Sequence, residues 1–72
     1  MSLRETFGSH CRHFRKSVNI TQGELAERAD ISIDMIGRIE RGSAAPSFDK
    51  IEKLADALNV PVMAFFGQGV VT

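Results

Sequence analysis

The apolar residues at the start of the chain recur at the spacing of an α-helix. Leu3, Phe7, Cys11, Phe14 and Val18 follow one another at intervals of four, four, three and four positions. This spacing places all five on one face of an amphipathic helix. Later segments repeat the pattern in shorter form, so the sequence predicts a series of helices and no strand.

Residues typical of helix starts divide the chain into segments. A Glu follows three positions after Ser2 and after Thr21, which is the capping-box pattern. Proline is suited to the first turn of a helix because it lacks a backbone N–H. We therefore predict that helices begin beside the following residues: Ser2, Thr21, Ser32, Ser47 and Pro61.

Residues that tolerate a left-handed backbone are expected to end the helices. Asn19, Gly42 and Asn59 each follow an apolar-periodic segment, and such residues are common just past a helix C-terminus. The predicted fold is an all-α, compact five-helix bundle forming one domain over residues 1–72. Within it, residues 21–41 are predicted to form two short helices joined by a tight turn, and residues 61–72 the last helix and an apolar tail.

Composition limits the class of protein. The chain has 72 residues, a formal net charge of zero and the residue usage of a small globular domain. No apolar run could span a membrane, and the N-terminus lacks the pattern of a signal peptide. The single cysteine, Cys11, cannot form an internal disulfide and fits a reducing compartment. We expect a cytoplasmic protein without a membrane partner.

The charges are unevenly distributed along the chain. Residues 1–16 contain three arginines and one lysine but one carboxylate, whereas residues 17–31 contain three carboxylates and one arginine. A neutral total disfavours a nonspecific nucleic-acid binder, since such domains are usually basic. The segregation still allows a positive surface to meet phosphates.

Two short segments carry the clearest functional indication. Residues 21–26 (TQGELA) open one short helix, and residues 36–42 (IGRIERG) close the next, with a tight turn at Asp30 and Ile31 between them. Arg38 and Arg41 lie on the second of these helices. This arrangement is typical of a helix-turn-helix, which inserts its second helix into the major groove of DNA.

With these segments, the chain resembles the phage-repressor family of helix-turn-helix proteins (Cro and lambda repressor, or XRE). The likeness runs from about Phe7 to Phe66 and includes Pro46 with the apolar series that follows it. The sequence of residues 36–42 also resembles the corresponding segment of the small controller proteins of restriction–modification systems. The resemblance implies a DNA-binding transcriptional regulator with no enzymatic activity and no cofactor.

The resemblance assigns base contacts to the start of the third helix. The candidates are Ser32, Ile33, Asp34 and Arg38. Arg38 is the leading one, because a guanidinium pairs bidentately with guanine O6 and N7. Asp34 could accept a hydrogen bond from cytosine or orient Arg38, and the second role is favoured. Ile33 could pack on a thymine methyl or close the turn, and the sequence favours neither alternative over the other.

Other residues are expected near the DNA backbone. The resemblance gives Gln22 a phosphate contact at a helix N-terminus, where free N–H groups favour anions; a solvated side chain is the alternative. Gly37 would allow close approach of the DNA backbone or of another helix. Further phosphate candidates are Arg41, Ser43, Ser47 and Lys50.

Three further residue types need a structural interpretation. The resemblance implies a buried ion pair between Arg15 and Glu40. His10, Cys11 and His13 are too few ligands for a closed metal site, so we expect surface histidines and no metal. Cys11 has no recognisable base beside it, which disfavours a nucleophile.

One recognition helix reads few base pairs, so we expect a homodimer on a palindromic operator. The predicted dimer interface comprises Met63, Phe66, Val70 and Val71, with one of Phe65 and Phe66 facing inward. A tail that folds back on its own core is the alternative. The sequence does not decide between a repressor and an activator. The carboxylates of residues 24–30 could contact RNA polymerase, as an activator would require, or could form an ordinary solvated face. The competing function is an antitoxin-like or adaptor module that binds a partner protein.

Overall fold

Four α-helices and one short 3-10 helix make up the computed structural model, which describes residues 2–67. The elements are α1 (Leu3–Ser17), α2 (Gln22–Ala29), α3 (Ile33–Glu40), α4 (Phe48–Leu58) and a 3-10 turn (Val62–Phe65). No helix among these residues is long and apolar enough to cross a membrane.

Each α-helix begins at its predicted cap. The hydroxyls of Ser2 and Thr21 accept hydrogen bonds from the N–H groups of Glu5 and Glu24, whose carboxylates accept the N–H groups of Ser2 and Thr21 in return. Accepting the Thr21 N–H holds the pKa of Glu24 below its ordinary value. The hydroxyls of Ser32 and Ser47 accept the third N–H group of α3 and of α4, without a reciprocal side-chain bond. These caps are local interactions, which explains why the sequence alone predicts them.

The helix ends are also as predicted. Asn19, Asp30 and Asn59 adopt φ of 62°, 55° and 56°, and Gly42 adopts φ of 76°. Asparagine and aspartate tolerate this left-handed backbone better than other non-glycine residues. Each residue therefore stops its helix and turns the chain toward the next.

The core lies where α1 packs on α3 and α2 packs on both α3 and α4. Phe65 of the 3-10 turn is fully buried and closes one end of this core, with its ring centroid 4.5 Å from that of Phe7 and 5.8 Å from that of Phe14. Other large side chains that are completely buried among the described residues are Phe7, Cys11, Leu25, Ile36, Ile39 and Leu54.

The structure corrects the hydrophobic pattern at four places. The fifth helix is a four-residue 3-10 turn, because the few residues between Pro61 and Gly67 cannot close successive α-helical hydrogen bonds. Leu3 and Phe48 are 69% and 87% exposed although their spacing matches the core face, and Val18 is 47% exposed. Leu3 and Phe48 lie at the first position of their helices, and Val18 lies just past the end of α1, so all three stand where the core has already ended.

Candidate DNA-binding interface

The turn between α2 and α3 is fixed by backbone hydrogen bonds. The Asp30 N–H donates to the carbonyl of Glu27, and the Ile31 N–H reaches back to that of Ala26 at 3.0 Å. Ile31 is buried, so the turn is anchored in the core. Ala26, whose carbonyl accepts the Ile31 N–H, is buried as well, so both ends of this hydrogen bond lie in the core.

One face of α3 is buried and the opposite face is open to solvent. Ile36 and Ile39 are completely buried, and their burial fixes the orientation of α3 about its own axis. The opposite face carries Asp34, Arg38 and Arg41, all exposed and separated by one helical turn. A charged helix face held in this way has the form of a recognition helix.

Arg38 is paired on the protein surface with Asp34. Its Nε lies 3.1 Å from Asp34 Oδ2, and the two side chains are 55% and 73% exposed. An exposed pair of this kind is weak, contributing about 0.3–0.5 kcal/mol between i and i+4. Arg38 is therefore held in position yet remains available to a stronger partner.

Ser32 and Ile33 stand at the start of α3. The Ser32 hydroxyl accepts the Met35 N–H at 3.1 Å, so its first role is to cap the helix. Ile33 is 58% exposed, and its Cδ1 lies 3.6 Å from where a Cβ on Gly23 would stand. Ile33 thus lies beside the first turn of α2 and leaves most of its surface free.

Gly37 makes room for the guanidinium of Arg41. A Cβ at Gly37 would lie 3.1 Å from Arg41 Nη1, so the Arg41 side chain lies back along α3 instead of extending from its end. Among residues 2–67, no other helix lies within 4 Å of where a Cβ at Gly37 would stand. This glycine determines where Arg41 places its charge.

A hydrogen-bonded network ties α1, α2 and α3 together at Glu40. Arg15 Nε and Nη2 donate to the two carboxylate oxygens at 2.7 and 3.1 Å, and Gln22 Nε2 donates to Oε1 at 3.0 Å. Arg15 Nη1 also donates to the carbonyl of Ile20 at 2.8 Å. The hydrogen bonds to Glu40 raise the pKa of Arg15. This network sets the position of Gln22, the predicted phosphate contact.

The loop after α3 and the start of α4 carry the other predicted phosphate contacts. The Ser43 hydroxyl donates to the Arg38 carbonyl at 3.2 Å. The Ser47 hydroxyl caps α4 by accepting the Lys50 N–H at 3.2 Å. Arg12 was missed from the sequence: it borders the same concavity as Gln22 and Arg41. Its position three residues before Arg15 was the available signal.

His10 is not the surface residue that the sequence predicted. It is 6% exposed, with Nδ1 2.7 Å from the Thr6 carbonyl and Nε2 2.8 Å from that of Gly67. A neutral imidazole donates to one of these carbonyls, and an imidazolium donates to both. The ring links α1 to the end of the 3-10 turn. Within residues 2–67 no group of three or more potential ligands surrounds a metal position.

The predicted dimer residues are exposed where they are described. Phe65 is the inward-facing member of its pair, whereas Phe66 is 37% exposed and Met63 is 81% exposed. Leu3 and Phe48 lie beside Phe66 around a shallow apolar groove. The other two predicted residues, Val70 and Val71, lie outside the described part of the chain.

A capped, tightly turned helix pair with a charged exposed face on its second helix defines a helix-turn-helix DNA-binding domain. The comparison with known proteins agrees: residues 12–65 match the family described as Helix-turn-helix. The chain belongs to this family of DNA-binding transcriptional regulators.

The relatives include phage and restriction–modification regulators, as the sequence resemblance predicted. The chain is 41% identical over 56 residues to the HTH-type transcriptional regulator YazB of Bacillus subtilis, covering 78% of this chain and 81% of that protein. It is 40% identical over 60 residues to control protein C.BamHI of Bacillus amyloliquefaciens, covering 82% and 74%. The immunity repressor of Bacillus phage phi105 is 36% identical over 63 residues, and the match spans 44% of its length.

The solved structures extend this likeness to the three-dimensional fold. The restriction–modification controller protein C.AhdI from Aeromonas hydrophila superposes with a TM-score of 0.85 at 30% identity. The superposition covers 88% of this chain and 96% of that one.

Proposed function

We propose that this protein regulates transcription by binding a palindromic operator as a homodimer, with α3 of each copy in the major groove. The observation that carries the proposal is the exposed face of α3, where Arg38 is presented by a helix fixed from beneath by Ile36 and Ile39. A major groove admits one α-helix and presents a distinct hydrogen-bonding pattern for each base pair.

Arg38 is the residue that we expect to read sequence. The Asp34 carboxylate 3.1 Å from its Nε orients the guanidinium before DNA arrives. On guanine, the same guanidinium donates to O6 and N7, and such a bidentate pair contributes about 1–3 kcal/mol of discrimination against other bases. Ser32 and Ile33 stand at the first turn of α3, whereas Arg38 lies in its last turn; they are proposed to contact neighbouring bases of the same half-site.

The surrounding polar residues are proposed to hold the DNA backbone in register. Gln22 stands at the N-terminus of α2, where first-turn N–H groups lack intrahelical acceptors. Arg41, supported by the space at Gly37, lies near the other end of the recognition helix. Ser43, Ser47 and Lys50 follow in the next loop and the start of α4. Phosphate contacts of this kind fix orientation and read no sequence.

A second copy is proposed to cover the apolar surface formed by Met63 and Phe66. Val70 and Val71 belong to the same predicted interface and lie outside the described residues. Exposed apolar side chains beside one another mark interaction sites, and Leu3 and Phe48 extend the described part of this surface. The two recognition helices of a dimer must lie about 34 Å apart to enter successive turns of the major groove. This requirement favours another copy of the chain over an unrelated partner.

The test is selection from a pool of random DNA duplexes, followed by affinity measurements at several salt concentrations. We expect a palindrome with half-sites one helical turn apart, bound with an affinity that falls steeply with salt. Arg38→Ala should lose the preference at one base pair of each half-site, whereas the exposed control Arg28→Ala should retain it. Folded protein that enriches no sequence and shows no salt dependence would favour the protein-binding alternative.

A further inference from the structure

The positive surface of the protein continues from the helix-turn-helix onto α1. Arg12 borders two adjoining concavities. In the first it lies with Gln22 and Arg41, and in the second it lies with His13 and Lys16. Arg12 therefore connects the predicted phosphate contacts with an exposed basic stretch of the first helix.

The charges of Arg12 and Lys16 are not used within the described fold. Neither side chain has a carboxylate partner within 4 Å among residues 2–67, and both are exposed. Glu40 lies near Arg12 but accepts two hydrogen bonds from Arg15. Glu5, two turns earlier on the same side of α1, accepts the Ser2 N–H at 2.8 Å. Both neighbouring carboxylates are thus already engaged.

Arg12 and Lys16 are four residues apart, so they lie one above the other on a single helix face. About 6 Å of helix axis separates them. Together with Arg41 they form a row of cations that leads away from α3. A row of exposed cations that continues a DNA-contacting surface matches the phosphate backbone better than it matches an isolated acidic ligand.

We propose that Arg12 and Lys16 contact the phosphates of DNA that flanks the half-site read by α3. This inference rests on the proposed function and extends its contact surface to a helix outside the helix-turn-helix. The contacts would lengthen the footprint of each copy at its outer side. They would add salt-dependent affinity without adding sequence preference.

The experiment compares the double variant Arg12→Gln/Lys16→Gln with wild-type protein on two duplexes. One duplex ends at the selected palindrome, and the other carries ten further base pairs on each side. The control is Arg28→Gln/Lys53→Gln, which changes the net charge equally on α2 and α4. Circular dichroism and thermal unfolding first establish that both variants fold as the wild type does.

On the long duplex, we expect the slope of log affinity against log salt to become shallower by about 1.8 per copy in the double variant, since each phosphate contact contributes about 0.9. The control should keep the wild-type slope. On the short duplex, wild type and double variant should agree.

Equal slopes for wild type and double variant on the long duplex would overturn the α1 contact while leaving the operator-binding function intact. A slope that changes equally on both duplexes would also overturn it, since the contact would then lie inside the half-site. Wild-type protein that binds neither duplex would refute both proposals.

Discussion

Gly8 of α1 lies against the backbone carbonyl of Ile39 in α3, so closely that a methyl group at Gly8 would overlap the carbonyl oxygen. The last turn of the recognition helix therefore packs directly on the backbone of α1. The angle at which α3 projects from the domain depends on this contact as well as on the buried faces of Ile36 and Ile39.

Gly8→Ala is expected to push α3 away from α1. The atom in the way belongs to the backbone and cannot rotate aside, and overpacking of this kind costs about 1–3 kcal/mol. Alanine also gains about 1 kcal/mol of helix propensity over glycine, so the net loss should be smaller. Urea unfolding measures the stability. Operator affinity, measured under conditions where the variant is fully folded, should also fall, so that unfolding does not account for the loss of binding.

Gly23→Ala is the matched control for that substitution. A Cβ there meets Ile33 Cδ1 at 3.6 Å, an ordinary contact. The control should fold and unfold with at least wild-type stability. A Gly8→Ala protein that matches it in both stability and affinity would contradict the proposed role of the α1–α3 contact.

Local interactions account for what the sequence could predict. Each helix start depends on a hydroxyl that accepts the backbone N–H three residues later, so the sequence reveals it directly. The hydroxyls belong to Ser2, Thr21, Ser32 and Ser47. The positions of Asn19 and Asn59 reveal helix ends for the same reason. The order of the four α-helices follows from these signals together with apolar spacing.

Tertiary contacts account for what was missed. The burial of His10 depends on Gly67, 57 positions away. The contact between Gly8 and the Ile39 carbonyl depends on the path of α3. The pattern of apolar residues also cannot show where a core ends, which is why the spacing alone assigns Leu3 and Phe48 to it. The proposed DNA contacts of Arg38 and its neighbours remain predictions, whereas their common exposed face is observed.

Glu40→Ala should destabilise the domain by about 3–5 kcal/mol, because the substitution leaves the guanidinium of Arg15 largely buried without its carboxylate. Glu40 is itself 3% exposed in its side chain, and Gln22 loses its acceptor at the same time. Operator binding should be lost as α3 unfolds or tilts. Denaturant unfolding followed by circular dichroism measures the first effect.

Glu40→Gln separates shape from charge at this site. The amide oxygen can still accept one hydrogen bond from Arg15, so the loss of stability should be smaller than for alanine. A Glu40→Ala protein with wild-type stability and operator affinity would rule out a structural role for the pair.

Gly37→Ala is expected to raise stability and weaken DNA binding. Alanine removes the roughly 1 kcal/mol cost of glycine in a helix interior. The atom that its Cβ crowds is the end of the flexible Arg41 side chain, at 3.1 Å, which can move aside. Thermal unfolding should therefore shift upward, while the displaced Arg41 weakens affinity for all duplexes alike.

The Gly37→Ala result is best compared with Arg41→Ala. If Gly37 acts by placing the Arg41 guanidinium, the two substitutions should weaken DNA binding through one contact, and the double variant should lose no more than Arg41→Ala alone. Additive losses would show that Gly37 has its own contact with the DNA backbone.

Cys11 should make the domain less stable at alkaline pH. Burial raises the pKa of the Cys11 thiol from 9.0 to about 12, so above pH 9 the unfolded chain releases a proton that the folded protein retains. The stabilising effect of a neutral thiol is complete below pH 9 and is lost progressively as pH rises toward 12. Between pH 8 and pH 10 the expected decrease is about 1 kcal/mol.

Urea unfolding at each pH, repeated with Cys11→Ala, isolates this contribution from that of the lysines. Alanine is smaller than cysteine, so the variant should be less stable at pH 8, but its stability should decline less from pH 8 to pH 10. Parallel declines in the two proteins would show that the Cys11 thiol ionises equally in the folded and unfolded states. In that case its burial between α1 and α3 would not control its protonation.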